Sequence, residues 1–366
     1  MRHMKNILVT ASGGPSSLSF TRSLQDADPK GKKYRLIGVD ADKLCVHRSQ
    51  CEKFYLCPKA TDPSYIPFIL EIIKKESIDF MHTQPEIEVY IVGKNRERIL
   101  KSGCKLLMPD QKIIELFRDK AKSYHLWKNA GIKVPFNIEI NKPEDLKIAF
   151  DKFGEDIWIR ETIGAAGKGS LSRPTYEVAL YHINQSKSWG HCVAAEHLTS
   201  RTVTWQSIWF NGSLVVAQAR ERLGWAFGNR TQSGVTGLTG VGVTISDPGL
   251  DELAQKCIMA AGPAPHGIYS VDLTYDKDGV PNPTEINIGK FFTTHHFLTK
   301  TGCNMPAILV DLAFSEYKGD FNILNPCKSG MYWLRGMDVV PVLLSKDEID
   351  QKEIEYKKIM SALKQG

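Results

Sequence analysis

Short apolar runs alternate with stretches of helical spacing through the first third of the chain. "ILVT" suits a buried parallel strand, "ASGGPSS" reads as a tight Gly-rich turn, and "LSFTRSLQDA" has the period of a helix. A second strand, "YRLIGVDAD", ends in Asp40 and Asp42. Right-handed crossover of such a βαβ start makes a Rossmann-like sheet. The alternation continues with helix "SYIPFILEIIKKES", strand "DFMHTQ", helix "EIEVYIVGKNRERILKSG" and strand "KLLMP".

The pattern changes near residue 110. Two helices in "PDQKIIELFRDKAKSYHLWKNAGIKVP" end at Gly131 and Pro135, the punctuation of a domain boundary. Strand "FNIEI", helix "PEDLKIAFDKFG", strand "DIWIRET", loop "IGAAGKGSLS" and strand "HCVAAEHL" follow. "TVTWQSIWFNGSLVVAQARERL" is a strand pair turned at Asn-Gly. A polar Gly-rich stretch, "GWAFGNRTQSGVTGLTGVG", leads to helix "PGLDELAQKCIMAAG" and to a hairpin, "IYSVDLTYDKDGVPNPTEINIG". The tail offers a helix, a strand within "GMYWLRGMDVVPVLL" and a charged helical end. The expected fold class is α/β and α+β, opening on a Rossmann-like domain that ends near residue 110.

Composition narrows the function without naming it. The chain has 366 residues, 42% hydrophobic and 24% charged, which suits a globular protein with a sizeable core. No apolar run reaches the roughly 20 residues of a membrane span, and the N-terminus enters a strand without a signal-peptide pattern, so the expectation is a cytoplasmic protein with no membrane partner. The net charge of +6 is spread out, with no basic block for nucleic acid. Eight cysteines are scattered without C-x-x-C spacing and read as reduced, structural thiols.

Three stretches carry chemistry. In the first turn Gly13 and Gly14 are adjacent and Pro15 follows, a poor match to G-x-G-x-x-G, so a tight turn competes with anion binding at the helix start. "WIRETIGAAGKGSL" places Arg160 on a strand, then Gly164, Gly167 and Gly169 around Lys168. Small residues let backbone N–H groups approach an anion, although such a loop is also an ordinary mobile turn and is no Walker A. The late hairpin is the strongest. Asp272 and Glu285 can face each other across the ladder, and Glu285 and Asn287, two apart, share a face. Two carboxylates and an amide oxygen together repel unless a cation joins them, and hard oxygen ligands suit Mg²⁺ beside a nucleotide. A solvated strand edge with chance acids is the plain alternative, and it is the reading for Asp276 and Asp278 in the turn.

The order of these pieces resembles the ATP-grasp superfamily, in particular proteins similar to the carbamoyl-phosphate synthase large chain. "ILVTASGGPSSLSFTRSL", "DKAKSYHLWKNAGIKVP", "IRETIGAAGKGS" and "VDL…TEIN" carry the resemblance, which covers roughly residues 4–315. It implies a Rossmann-like pre-ATP-grasp domain over 1–110 that helps bind the acid substrate, a two-lobed ATP-grasp domain over 111–320 with a lid lobe near 135–200, and an extension over 321–366 packing on the core. It implies that Lys120 and Arg160 contact the ATP phosphates and that the Gly164, Gly167, Lys168, Gly169 loop closes over them. Glu196, His197 and Leu198 would form the adenine hinge. Asp272, Glu285 and Asn287 would hold one or two Mg²⁺, with Mn²⁺ the alternative ion, and Arg220 or Arg222 would face the transferred phosphoryl group. Two steps depart from the pattern. Thr202 stands where an acid usually takes the ribose hydroxyls, and Ile288-Gly289-Lys290 stands where Pro-Arg is usual, so Lys290 would replace an Arg charge without its bidentate fork.

The resemblance implies a ligase that activates a carboxylic acid as an acyl phosphate and transfers it to an amine. Its partners would be small acid and amine substrates, with no nucleic acid, and a homodimer would be compatible. Competing readings are a carbamoyl-phosphate synthase half, an ATP sensor without turnover, and an NAD-dependent dehydrogenase built on the first domain. His295 and His296 in "THHFLTK", with Trp225 and Phe227, are substrate-pocket candidates, against a packing role for the histidines.

Overall fold

The computed structural model describes residues 4–164, 167, 169–231, 233–336 and 345–365. Three sheets organise it. Strands β1 (Lys5–Thr10), β2 (Tyr34–Asp40), β3 (Lys53–Leu56) and β4 (Phe80–His82) run parallel in the order β3-β2-β1-β4. Helices α1 (Pro15–Ala27), α2 (Tyr65–Glu76), α3 (Glu86–Lys94) and α4 (Arg96–Lys101) connect and cover them. This is the Rossmann-like arrangement that the alternation predicts, with β3 added.

Two details of this part differ from expectation. The helix expected from Glu86 to Gly103 breaks at Asn95, whose side chain donates to the Ile91 carbonyl at 2.9 Å and so competes with the helical ladder. The strand expected at "KLLMP" shrinks to one bridge between Lys105 and Phe80. Beyond it the chain turns so that Met108 and Pro109 pack on Gly267, where a Cβ would come within 2.9 Å of both.

Helices α5 (Gln111–Arg118) and α6 (Lys120–Asn129) lead out of this part. Asp119 caps α6, its carboxylate accepting from the amides of Ala121 and Lys122. A second sheet follows, β5 (Asn137–Ile140), β6 (Ile157–Glu161), β7 (Leu171–Ser172) and β8 (Cys192–Glu196), antiparallel in the order β5-β8-β6-β7. Helices α7 (Pro143–Phe153) and α8 (Tyr176–Ser186) pack on it, and Ile140, Leu146, Ile159, Ile183 and Ala194 form a core of its own. Helix α8 has no counterpart in the sequence reading. Its buried Ala179 and Ile183 are accompanied by exposed Val178 and Tyr181, so its apolar residues do not define one face.

The third sheet has seven strands. They are β9 (Thr202–Phe210), β10 (Ser213–Trp225), β11 (Thr239–Ile245), β12 (Gly267–Tyr275), β13 (Pro281–Ile288), β14 (Ile323–Leu324) and β15 (Tyr332–Leu334). The main path runs β13-β12-β9-β10-β11-β15, and β14 pairs with β10. Strand β11 occupies the end of the stretch expected to be irregular. Its Gly242 hides the strand signal and serves a purpose: a Cβ there would stand 2.8 Å from the Arg220 side chain. Helices α9 (Pro248–Met259), α10 (His296–Lys300) and α11 (Met305–Ala313) flank the sheet. Helix α12 (Lys346–Gln365) returns to the first sheet, where Lys352 donates to the Phe54 carbonyl at 2.9 Å. One continuous apolar cluster joins Leu8, Ile37 and Phe68 to Trp205, Val271 and Ile286, so the parallel sheet and the large sheet share a core.

Candidate active site

The large sheet aligns its polar residues in rows perpendicular to the strands. In one row Glu285 on β13 stands opposite Asp272 on β12, Asp272 opposite Thr204 on β9, and Thr204 opposite Arg220 on β10. Two acids therefore occupy one end of a four-strand row and a guanidinium the other. Asn287, Ser270, Gln206 and Gln218 form a parallel row two residues along the strands, on the same face.

Hydrogen bonds hold the rows in register. The Thr204 hydroxyl donates to Asp272 Oδ1 at 2.5 Å and lies 2.9 Å from Arg220 Nη2. The Asn287 amide donates to Asp272 Oδ2 at 3.0 Å. Arg220 Nη1 donates to the Thr239 hydroxyl at 2.7 Å, and the guanidinium lies 4.7 Å over the Phe292 ring. Arg222 donates to the Thr202 hydroxyl at 2.9 Å, approaches Asp272 Oδ1 at 3.8 Å and stacks 3.8 Å over Trp225.

Cations from two other elements converge on Glu285. Lys120, at the start of α6, places Nζ 3.5 Å from Glu285 Oε2 and donates to the Gly164 carbonyl at 2.7 Å. Arg160 on β6 donates to the Thr284 carbonyl at 2.9 Å, while its Nε has no hydrogen-bond partner among the described residues. Burial alone would raise the Glu285 carboxyl; the charges of Lys120, Arg160 and Lys290 outweigh it and hold the group below the ordinary range. Asp272 goes the other way. Burial raises it, with the Glu285 charge acting in the same direction against the pull of Arg222. Burial also pushes Arg220 down to about 9, with the like charge of Arg222 next in importance. Arg160 and Arg222 are lowered by burial as well, opposed by the acids they face. Burial thus makes each of these charges costly unless an opposite charge or a hydrogen bond answers it.

The other predicted residues lie around this centre. Gly164 receives Lys120, Gly167 packs so closely on the Val235 carbonyl that a Cβ would stand 2.7 Å away, and Gly169 packs likewise on the Glu161 side chain. Lys168 lies outside the described residues. At the end of β8 the amides of Glu196 and His197 donate to the carbonyls of Phe136 and Asp156, and the Glu196 carboxylate accepts from the Phe136 amide at 2.8 Å. His197 also lies 2.9 Å from the Ser172 hydroxyl, and Leu198 follows it. Thr202 is bound to Arg222, as above. His295 and His296 turn toward the first sheet: His295 is fully buried against Phe291 and held down at about 3 by that burial, and His296 bonds Asp26 at 2.7 Å. Theirs is the packing role. In the hairpin turn Asp276 is more than a solvated acid, accepting from Lys133 at 2.6 Å and from Asn282 at 3.1 Å. Sequence reading missed Thr204 and Thr239, which bind both arginines; alternation of Thr202 and Thr204 along "TVTW" was the available signal.

The donor set of Asp272, Glu285 and Asn287 suits a hard divalent cation once the Asn287 amide, which now donates to Asp272, turns its oxygen inward: the three share a face, and Asp272 is raised by a burial that a cation would offset. Among the described residues no group of three or more His, Cys, Asp or Glu side chains forms a metal site without the amide.

Comparisons with known proteins address the fold. A sequence model of the PylC-like N-terminal domain matches residues 7–107. Among solved structures, the biotin carboxylase domain of 2-oxoglutarate carboxylase from Hydrogenobacter thermophilus, in complex with MgADP, ADP and bicarbonate, superposes with a TM-score of 0.67. It is 15% identical, over 90% of this chain and 74% of that one. N5-carboxyaminoimidazole synthetase from Staphylococcus aureus complexed with ADP gives 0.65 at 15% identity, over 88% and 81%. The chain has the ATP-grasp fold. L-amino acid ligase from Bacillus licheniformis has the same fold, with a TM-score of 0.64 at 15% identity over 88% of this chain and 78% of that one. A search of curated protein sequences finds no match. The β5–β8 sheet meets the seven-stranded sheet beside the row of Glu285, Asp272, Thr204 and Arg220, where Arg160 on β6 donates to the Thr284 carbonyl on β13.

Proposed function

We propose that the chain is an ATP-dependent ligase that activates a carboxylic acid as an acyl phosphate and passes the acyl group to an amine. The row of two acids and an arginine across the large sheet, met by Lys120 and Arg160 from outside it, carries this reading. A carboxylate oxygen of the substrate attacks the γ-phosphorus of ATP, and the bond from that phosphorus to the β,γ-bridging oxygen breaks, releasing ADP. The amine lone pair then attacks the acyl carbon and phosphate leaves. Such a transfer needs positioning and charge neutralisation more than covalent chemistry.

The residues divide that work. Lys120, Arg160 and Lys290 face the acid end of the row and would take the phosphate oxygens. The Gly164–Gly169 loop would cover the phosphates, and the Glu196–Leu198 backbone would meet the adenine. Arg220 and Arg222, immobilised by Thr204, Thr239 and Thr202, would hold the substrate carboxylate in line with the γ-phosphorus. Asp272, Glu285 and Asn287 would hold Mg²⁺, which when bound neutralises charge between the β- and γ-phosphates. Among the described residues no helix is long and apolar enough to cross a membrane.

The test is ADP release from ATP and Mg²⁺ in the presence of a panel of amino and organic acids. Acid-dependent release is expected, and Glu285→Gln should slow it by about 10²–10³-fold with the fold unchanged by circular dichroism. A second reading, an ATP sensor, draws on Thr202: it binds Arg222 where the superfamily pattern has a ribose-binding acid. Tight ATP binding with no acid-dependent ADP would favour that reading.

A further inference from the structure

Two of the eight cysteines, distant in sequence, converge on one carbonyl. Cys303 follows α10, and Cys327 lies in the loop between β14 and β15. The Cys303 amide donates to the Leu298 carbonyl at 2.8 Å, and the Cys327 thiol donates to the same carbonyl at 3.6 Å. The two thiols face each other closely enough to interact, and the Thr301 hydroxyl also acts on Cys327. Both side chains are buried in one apolar cluster with Leu298 and Val310. The cover over Cys327 is thin, because its neighbours Pro326, Lys328, Ser329 and Gly330 are exposed.

The pair differs from the other thiols. Burial pushes Cys45 up to about 11 and Cys104, Cys192 and Cys257 up to about 12. Cys327 instead falls below the ordinary 9, chiefly because the Cys303 thiol hydrogen-bonds to it, and Cys303 rises in return. A thiol with more thiolate character, backed by a second thiol, is the arrangement in which one sulfur is oxidised and its neighbour resolves it. Sequence spacing hides the pair: it is no C-x-x-C, and α11 and β14 separate its members.

We propose that Cys303 and Cys327 are a reversible redox pair, closed to a disulfide by hydrogen peroxide and reopened by a dithiol. The Cys327 thiolate attacks one peroxide oxygen, the O–O bond breaks, and the departing hydroxide takes up a proton, leaving a sulfenic acid and water. The Cys303 sulfur then attacks the Cys327 sulfur, the S–O bond breaks, and the hydroxide leaves with the Cys303 proton as a second water. The thiols give up two electrons and two protons, and peroxide takes both. Closure fastens the β14–β15 loop to the end of α10. That loop already grips β10 just ahead of Arg220: the Asn325 amide donates to the Ala217 carbonyl at 2.8 Å, the Cys327 amide to Gln218 Oε1 at 2.9 Å, and the Ala219 amide to Asn325 Oδ1 at 3.0 Å. The pair stands independently of the ligase reading.

Peptide mapping of the full chain tests it. The reduced protein is exposed to hydrogen peroxide, quenched with catalase, unfolded and alkylated. One disulfide joining the Cys303 and Cys327 peptides is expected, with the other six cysteines alkylated, and dithiothreitol should restore all eight thiols. The linked peptides should form at least about 10-fold faster than peroxide consumes Cys45, Cys104, Cys192 or Cys257. The oxidised chain should also unfold at higher urea than the reduced chain. Dimedone, which labels sulfenic acids, should mark Cys327 in Cys303→Ser and leave Cys303 unmarked in Cys327→Ser. Both thiols still free after prolonged exposure would overturn the proposal, and so would a link from either one to a different cysteine. The mapping and the urea curves use the native chain, so they decide the matter even where a serine variant does not fold.

Discussion

Asp272 and Glu285 face each other across one ladder and yet titrate in opposite directions from the ordinary carboxylate range, because position decides whether burial or neighbouring cations prevail. Glu285 is ringed by cations from outside the sheet; Asp272, one strand inward, is opposed chiefly by Arg222, which does not offset its burial and the Glu285 charge. Glu88, buried in the first turn of α3, extends the same logic to a place with no cation, and that gives a stability prediction. Its folded value of about 8 lies above the ordinary 4.5. Below pH 4.5 the group is protonated in both states and its stabilising effect is complete. As pH rises toward 8 the unfolded chain ionises while the folded chain keeps its proton, so stability is lost. Urea midpoints between pH 5 and 8 should therefore fall more steeply for the native chain than for Glu88→Gln, by at most about 1.4 kcal/mol per pH unit.

At the scale of elements, the end of β13 depends on a single glycine. Gly289 has φ +71° and no room for a Cβ against Val89. Gly289→Ala should cost about 1–3 kcal/mol in urea unfolding, and should weaken nucleotide binding by shifting Lys290. Most elements were legible from spacing alone, as "ILVT", "YRLIGVD" and the Asn-Gly hairpin illustrate. The rows of the site were legible only in part. Asp272 opposite Glu285 follows from the hairpin, but counting back from the Asn211-Gly212 turn sets Thr204 opposite Ala219. A bulge between Leu214 and Val216 moves it opposite Arg220 instead, and nothing local announces that bulge. Strand β11 was hidden because the glycine that accommodates Arg220 also erases the strand pattern.

Across the whole molecule, the first sheet and the large sheet are joined next to the chemistry. Gln84, just past β4, donates to the Phe291 carbonyl at 2.6 Å and pairs with His82 at 2.7 Å, and His82 stacks on Phe20 at 4.0 Å. This junction anchors the segment that follows Lys290. Gln84→Leu would strand a buried carbonyl and an imidazole nitrogen, so we expect a loss of about 2–4 kcal/mol in global stability by urea unfolding. Lower ADP release should accompany it, whereas Gln84→Glu, which keeps one acceptor, should lose less in acid than at neutral pH.

Strand β9 lies between β10, its immediate successor, and β12, which begins at Gly267. During synthesis the β9–β10 hairpin therefore leaves the ribosome with one flank bare, and at roughly 5–20 residues per second that flank waits some seconds for its neighbour. A bare strand flank is a template for pairing with other nascent chains. Expression at lowered temperature lengthens that wait, so the yield of native protein should depend on holdase chaperones more than the stability of the finished molecule would suggest.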